Sequence, residues 1–556
     1  MRIKIGLLLD NLEPDEYNSE LIQWIDKQDK LEISLCIINK LNTSKISKIK
    51  SVFNKYSINR IINKILFKLV VLFEKYLYKF FFDKYNSNKI KLNNFQIPKI
   101  YVKPILSKKR IYYQYSDDDL KKIKDKKLDL IIRMGSGILK GDILFSSKHG
   151  VLSFHHADND INRGGPAGFW EVFYRQSKTG FIIQQLNETL DGGNILRKGF
   201  FPTKIFFYLN QKFIYKKSLY YFKKLLSEIS ENNMLPNMTP SNKYNGKIYK
   251  DPNFLELFYY LYKTYSKIIG IFLRKCFLEK DTWYVAYKEK NHNLYNLDNL
   301  KVIENNKNCF NADPFIYKLK DQNYIFVESF NFKKKRGSIS VYKIKKHSYE
   351  FLGEVLKEKF HLSFPFIFEF ENKIFMCPET NQINEIRLYE NISFPNKWKY
   401  HSTLMKNVSA ADTLIFEHNG IWWLLTNIDY SEINDHNSEL SLYYSYEGPL
   451  TSKWNKHPKN PLIIDPEKAR NAGLISENNK LYRVSQKNEF GIYGKEIDIN
   501  IIDMISTENY SEKTIHNIKP DFKKRLFATH HFNLNDDYIV VDCCKKNYFN
   551  IDNGLK

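Results

Sequence analysis

Residues Gly150 to Leu196 combine proton-transfer groups with glycine turns. They read Gly-Val-Leu-Ser-Phe-His-His-Ala-Asp, then Arg163-Gly164-Gly165-Pro166, then Thr179-Gly180, then Leu190-Asp191-Gly192-Gly193-Asn194-Ile195-Leu196. A short apolar strand delivers His155 to a loop, and a later strand ends on Asp191. A histidine of near-neutral pKa can move a proton. A carboxylate beside it can hold the ring in one tautomer and stabilise the imidazolium. A hydroxyl such as that of Ser153 can donate one hydrogen to a developing oxyanion. His155, His156 and Asp158 do not make a metal site, because neighbouring residues on a strand point to opposite faces. No metal is expected.

The order of these pieces resembles the core of the folate-dependent formyltransferases. There the strand reads Gly-x-Ile-Asn-x-His, a loop carries Arg-Gly, and the last piece reads Leu-Asp-x-Gly. His155 and Asp191 fall on the family's histidine and aspartate, and Ser153 stands in place of its asparagine. The resemblance implies an enzyme with His155 as general acid and base, Asp191 as its orienter and Ser153 as oxyanion donor. It also implies 10-formyltetrahydrofolate as co-substrate. Met134-Gly135-Ser136-Gly137-Ile138 follows the apolar strand Leu128 to Arg133 and would lie against the pterin ring, where glycines permit close backbone approach. Arg163 and Gly164 would face the substrate, the arginine on a phosphate or carboxylate.

These residues need elements that position them. The first half alternates strand and helix signals: strands at Ile3 to Leu9, Leu31 to Ile38, Leu128 to Arg133 and Val151 to His155, helices at Ser19 to Lys27 and Asp117 to Lys126. Such alternation predicts a mostly parallel sheet covered by helices. Residues 1–202 read as an α/β Rossmann-like formyltransferase domain. A helical insertion at 57–85 mixes Ile, Leu, Phe and Tyr with regularly placed Lys. It is expected to pack on the sheet or a neighbouring domain, with a membrane headgroup layer as the functional alternative. Residues 203–280 read as a helical connection.

From 281 to 556 short aromatic β-runs take over, and they repeat. Asp313-Pro314-Phe315, Phe364-Pro365-Phe366, Asp412-Thr413-Leu414, Ala472-Gly473-Leu474 and His530-His531-Phe532 each open a copy with a polar turn and a second strand. Counted from Pro314, Pro365, Thr413, Gly473 and His531, the copies start 51, 48, 60 and 58 residues apart. Several short strands per copy at this period predict an all-β five-bladed propeller. The region Trp283 to Asp542 is similar to the propellers of arabinanase- and levansucrase-type glycosidases. It is also similar to the propeller-like region of a plant glucosaminyl-inositolphosphorylceramide transferase. The resemblance puts Asp313 in the place of the glycosidases' base aspartate, with Asp412 at the equivalent position of its own repeat. Glu328 and Glu379 are candidate acids by residue type, and His361, Arg470 and Gln486 are candidate sugar contacts.

Composition bounds the rest. At 556 residues and 43% hydrophobic content, the chain suits two or more cores. The formal net charge of +24 accompanies abundant Lys, Asn and Ile and scarce Arg. Compositional bias explains this charge, with anionic substrates second. The six cysteines form no C-x-x-C pair, which implies a reducing compartment. The N-terminal run carries no signal-peptide pattern. The most apolar stretch, Ile61 to Phe82, is broken by Lys64, Lys68, Glu74, Lys75 and Lys79, so a spanning helix is not expected. A cytoplasmic location follows, with the inner membrane face as the alternative through peripheral contact.

The expected protein moves a formyl group to an amine, on an amino-sugar or nucleotide-sugar substrate of surface-glycan biosynthesis, and holds glycan in the propeller funnel. Two alternatives stand beside it. One is methionyl-tRNA formyltransferase activity, which the positive charge suits, but the second half does not look like the small β-barrel those enzymes append; no specific nucleic acid is expected. The other is a non-folate protein whose propeller binds or processes glycans.

Overall fold

The computed structural model describes residues 2–40, 58–81, 90–92, 95–107, 112–135, 137–189, 192–277, 281–345 and 348–546. The chain is multidomain, dividing into two compact units at Ser266/Lys267. The first is α/β. The second is β-rich, built from successive antiparallel sheets.

The first unit is organised by a seven-stranded sheet. Its strands are β1 (Ile3–Leu9), β2 (Leu31–Asn39), β3 (Lys99–Val102), β4 (Leu130–Arg133), β5 (Val151–His155), β6 (Lys178–Gln185) and β7 (Asn194–Pro202), in the order β7-β6-β5-β4-β1-β2-β3. Strands β1 to β5 are mutually parallel, whereas β6 and β7 add antiparallel pairs. Nearly every residue of β1 is buried, which its continuous Ile/Leu run requires of a strand covered on both faces.

Among the described residues the α-helices are α1 (Glu16–Asp26), α2 (Ile58–Phe81), α3 (Asp117–Lys124), α4 (Phe169–Tyr174), α5 (Phe207–Asn232) and α6 (Phe254–Phe277), the last running across the boundary at Ser266. Asp15 and Ser116 cap α1 and α3 by accepting from the backbone N–H three residues on. Helix α5 seats Phe222 against Phe154 of β5, with ring centroids 4.4 Å apart. The insertion helix occupies Ile58–Phe81 of the expected 57–85; residues 57 and 82–85 lie outside the described residues. The expectation that it packs over much of its surface is corrected: among its side chains, Phe67 and Glu74 alone are buried.

Among its described residues the second unit contains five antiparallel sheets. Sheet 1 joins Asp281–Glu289 and Lys301–Ile303 to the last strands of the chain, Leu526–Ala528, Phe532–Leu534 and Tyr538–Lys546. Sheets 2 to 5 take four or five consecutive strands each, starting with Cys309–Leu319, Ser363–Phe370, Ala410–His418 and Asn471–Glu477. These four starting strands touch one another in succession. The last touches Phe532–Leu534, which returns to Cys309–Leu319.

Each starting strand of sheets 2 to 5 carries a β-bulge at the same place, after Ala312, Ser363, Ala411 and Asn471. The bulge puts Asp313, Phe364, Asp412 and Gly473 at φ of +48°, +48°, +50° and +137°. Left-handed backbone is uncommon for non-glycine residues and steeply so for a bulky aromatic. The sequence repeat is therefore a backbone repeat that places a left-handed residue at each bulge, an aspartate in two of the four sheets.

Candidate functional site

In the first unit the expected site residues separate into two groups. Ser153 is buried in β5, and its Oγ accepts from Arg133 Nη1 at 3.1 Å. Arg133 Nε and Nη2 also donate to the Gly137 carbonyl at 3.0 and 2.7 Å. One guanidinium thus ties Ser153 to the glycine loop. Met134 N donates to the Leu8 carbonyl, and Ile138 pairs with Tyr112.

The glycines of that loop answer to the protein itself. A Cβ on Gly135 would lie 2.7 Å from Asp10 Oδ1, and one on Gly137, at φ +89°, 2.6 Å from the Tyr113 ring. Ser136 and Asp191 lie outside the described residues.

A cavity of about 360 Å³ opens beside this loop, walled by Arg133, Met134, Gly135, Ser153, Phe154 and His156 together with residues of α1, α2 and α5. The histidine in its wall is His156, not His155. His156 Nδ1 sits 3.1 Å from Ser218 Oγ, its ring stacked on Phe154 and edge-on to Tyr215. Burial pushes its pKa down to about 3, so it is a neutral ring. His155 is buried, with Nε2 3.4 Å from the Asn162 carbonyl.

Arg163 is also buried. Its Nε and Nη2 donate to the carbonyls of Asn159 and Asn242, both at 2.9 Å, and its guanidinium lies over the Tyr244 ring. Its hydrogen bonds brace two loops. Gly164 pairs with Tyr249, and a Cβ there would lie 2.2 Å from the Tyr249 carbonyl.

The β-rich unit gathers ionisable groups more densely. Arg470 Nε donates to Asp412 Oδ2 at 2.6 Å, and its Nη2 lies 3.5 Å from Glu379 Oε2. Asp313 Oδ2 accepts from Phe364 N at 3.3 Å, and its Oδ1 lies 3.5 Å from His530 Nε2. The other nitrogen of His530 is 2.6 Å from Asp542 Oδ2. Asp542 also accepts from the backbone N–H groups of Asp313, His530 and His531. Glu328 Oε1 is 3.5 Å from His361 Nε2.

Burial governs the electrostatics of this cluster. It pushes Asp313 up to about 7, helped by the charges of Asp412 and Asp542 and opposed by His530. Glu328 and Glu379 are raised well above the usual carboxyl range by burial and by the neighbouring carboxylates. Asp542 is held below its usual value despite burial, because His530 faces it. His531 is pushed down to about 3 by burial. The result is a set of carboxyls that favour the protonated, hydrogen-donating form, beside a guanidinium and two histidines. Such a set can hydrogen-bond a polyhydroxylated ring and can supply a general acid.

Asp313, Asp412, Glu379, Glu328, Arg470 and Gln486 lie together in this cluster. Sequence reasoning missed Asp542, His530 and His531 as members. The available signal was register: Glu328 and Glu379 pair with the residues before Asp313 and Phe364, and Asp542 ends the corresponding run of the fifth copy.

The family described as glucosamine inositolphosphorylceramide transferase 1, N-terminal, matches residues 299–533, which lie within the β-rich unit. Glucosamine inositolphosphorylceramide transferase 1 of Arabidopsis thaliana is 36% identical over 208 residues, covering 36% of this chain and 27% of the relative. The protein of that name from Oryza sativa subsp. japonica is 34% identical over the same coverage. The chain therefore spans about a quarter of the length of the curated relatives it matches. Among solved structures, glycinamide ribonucleotide transformylase 1 from Symbiobacterium toebii is similar at 10% identity and a TM-score of 0.29, over 43% of this chain and 95% of that one. The catalytic domain of the GH62 alpha-L-arabinofuranosidase of Coprinopsis cinerea is similar at 8% identity and 0.32, over 42% and 90%. Likenesses of that strength carry no functional argument.

These matches correct the expected activity. The sequence relatives are named for glucosamine inositolphosphorylceramide transfer, not for folate chemistry. Formyl transfer, to an amino sugar or to tRNA, and 10-formyltetrahydrofolate as co-substrate are set aside. The geometry gives a physical reason for the overreading: Gly135 and Gly137 are needed for contact with Asp10 and Tyr113, so glycine at those positions is no mark of a pterin.

Proposed function

We propose that the chain is a transferase of glycan assembly whose β-rich unit holds a sugar-bearing substrate over the Asp313, Asp412 and Arg470 cluster. The five sheets would be five propeller blades, with sheet 1 closing the ring by joining the beginning and end of the unit. The substrate class is an amino-sugar glycan or lipid-linked inositol glycan, with a nucleotide sugar as donor. The names of the sequence relatives support that class.

The observation that carries the reading is the repeated bulge. Two of its four positions hold aspartates, and both stand in strained backbone where a side chain is aimed with little freedom. Strain of that kind costs of order 1–3 kcal/mol per residue. It is retained at a cluster where Arg470 spans Asp412 and Glu379.

The test is calorimetric titration of the full chain with glucosamine, inositol-phosphate glycans and UDP-hexosamines, beside Asp412→Asn and Arg470→Lys. Saturable binding of one of them, weakened about tenfold or more in both variants, is expected for lost charge-assisted contacts. Binding that both variants leave unchanged would move the sugar site elsewhere. Absence of binding by every sugar ligand would sink the reading.

A further inference from the structure

Helix α2 is amphipathic in the wrong sense for a core helix. Its buried face is two residues, Phe67 against Phe169 and Phe207, and Glu74. Its exposed face is a continuous apolar stripe: Ile58, Ile62, Ile65, Leu69, Leu72 and Tyr76 recur at spacings of four and three, and Phe80 extends it. Leu69, Leu72 and Phe80 are 57%, 60% and 72% exposed. A stripe at this spacing normally faces a core.

The first part of α6 lies alongside. Tyr260 and Tyr265 both donate to Glu74, and Lys64 Nζ is 3.5 Å from Asp251 Oδ2, just before α6. This stretch too presents apolar groups outward, with Leu255, Phe258 and Tyr262 at 74%, 65% and 67% exposure. An open groove of about 410 Å³ runs between the starts of the two helices. Exposed apolar surface of this extent marks an interaction site.

The charges decide the partner. Lys68, Lys75 and Lys79 are exposed and immediately precede Leu69, Tyr76 and Phe80, so a basic row runs beside the apolar one. The one acid of α2, Glu74, is buried among the tyrosines. The one acid of α6 before Ser266, Glu256, accepts from Asn253 N at the helix start. A second copy of this face would set lysine rows against each other. An anionic lipid surface pairs with them, while the aromatic and aliphatic side chains enter the headgroup layer. Among the described residues no helix is long and apolar enough to cross a membrane, so this geometry lies on a bilayer and does not span it.

We infer that α2 and the adjoining start of α6 form a peripheral docking surface for an anionic membrane. The inference stands apart from the sugar reading of the β-rich unit.

The experiment is flotation of the full chain with vesicles of phosphatidylcholine alone and of phosphatidylcholine mixed with phosphatidylglycerol at three to one. Binding to the mixed vesicles should exceed binding to the neutral ones by about tenfold or more, given three lysines near the surface. Leu69→Glu/Leu72→Glu should lose about tenfold or more of it with an unchanged thermal midpoint, since both side chains are in solvent. Lys68→Glu/Lys75→Glu/Lys79→Glu should erase the anionic preference while leaving the apolar stripe intact. As a second readout, the fluorescence of Leu69→Trp should shift to the blue with mixed vesicles. Equal vesicle binding by wild type and Leu69→Glu/Leu72→Glu overturns the inference. So does absence of vesicle binding, whether or not the chain self-associates; self-association abolished by Leu69→Glu/Leu72→Glu would give the face to a second copy.

Discussion

Arg470 and Asp412 are joined at 2.6 Å from the residue before sheet 5 to the bulge of sheet 4, with the Arg470 side chain 14% exposed and the aspartate buried. The same guanidinium faces Glu379 of sheet 3. One side chain therefore reaches carboxyls of two sheets.

Removing it should be costly. Arg470→Ala leaves Asp412 buried without its cation, a situation worth about 3–5 kcal/mol of lost stability. Urea unfolding followed by tryptophan fluorescence would measure the loss. The double variant Arg470→Ala/Asp412→Asn should recover part of it, because the stranded charge is gone. A double variant less stable than Arg470→Ala would mean that Asp412 supports the fold independently of the arginine.

Asp313 and His531 give the β-rich unit opposite pH dependences. The Asp313 carboxyl is raised to about 7, so its folded form binds the proton more tightly than its unfolded form. Its contribution is present at low pH and is lost as pH rises from about 4 through 7. His531 is lowered to about 3, so its contribution is present above about 6.5 and is lost as pH falls toward 3. Between about pH 4 and 6.5 the two slopes oppose each other. Relative to wild type, Asp313→Asn should therefore tilt the slope of stability against pH upward in that window, and His531→Gln should tilt it downward, each by up to about 1.4 kcal/mol per pH unit. Unfolding free energies at several pH values would check the signs, and two parallel profiles would refute the assignment.

Gly137 holds a position that no L-residue fits, at φ +89° with the Tyr113 ring where a Cβ would go. Gly137→Ala should lower the stability of the α/β unit by about 2 kcal/mol or more, from backbone strain and overpacking together. Gly137→Ala/Tyr113→Leu should regain the packing part and keep the strain. Thermal unfolding of both variants separates the two causes; a single variant as stable as wild type would show that the loop moves without cost.

The parallel sheet, the helix at 58–81 and the β-rich second half were legible because each rests on local periodicity. Ile3–Leu9 and Leu130–Arg133 are continuous apolar runs, and the Asp313, Phe364 and Asp412 copies share a residue pattern. Partner choice was not legible. His155 and His156 are neighbours in sequence, and only the packing of α1 and α5 sends His156 to the cavity wall against Tyr17, Tyr215 and Ser218. Arg163 looked poised for a substrate anion because its carbonyl partners come from Asn159 and Asn242, the second of them 79 residues away. The partner of the outward apolar face of α2 was not legible for the same reason: a stripe gives a helix its face but not what covers it.

Glu74 offers the last test, inside that helix. It is buried, and it accepts from the hydroxyls of Tyr260 and Tyr265 and from Tyr208 N. Burial raises its pKa to about 7, so the charged form is the unfavourable one in the folded chain. Its contribution to stability is whole below about pH 4 and is lost as pH rises to 7, beyond which the profile flattens. Glu74→Gln keeps an oxygen for Tyr208 N and turns its amide toward tyrosine oxygens, which can accept as well as donate. At pH 8 this variant should be more stable than wild type by on the order of 2 kcal/mol, and at pH 4 the two should converge. Chemical denaturation at both pH values measures the difference. A variant destabilised equally at both would show that Glu74 does not titrate between them and would overturn the assignment.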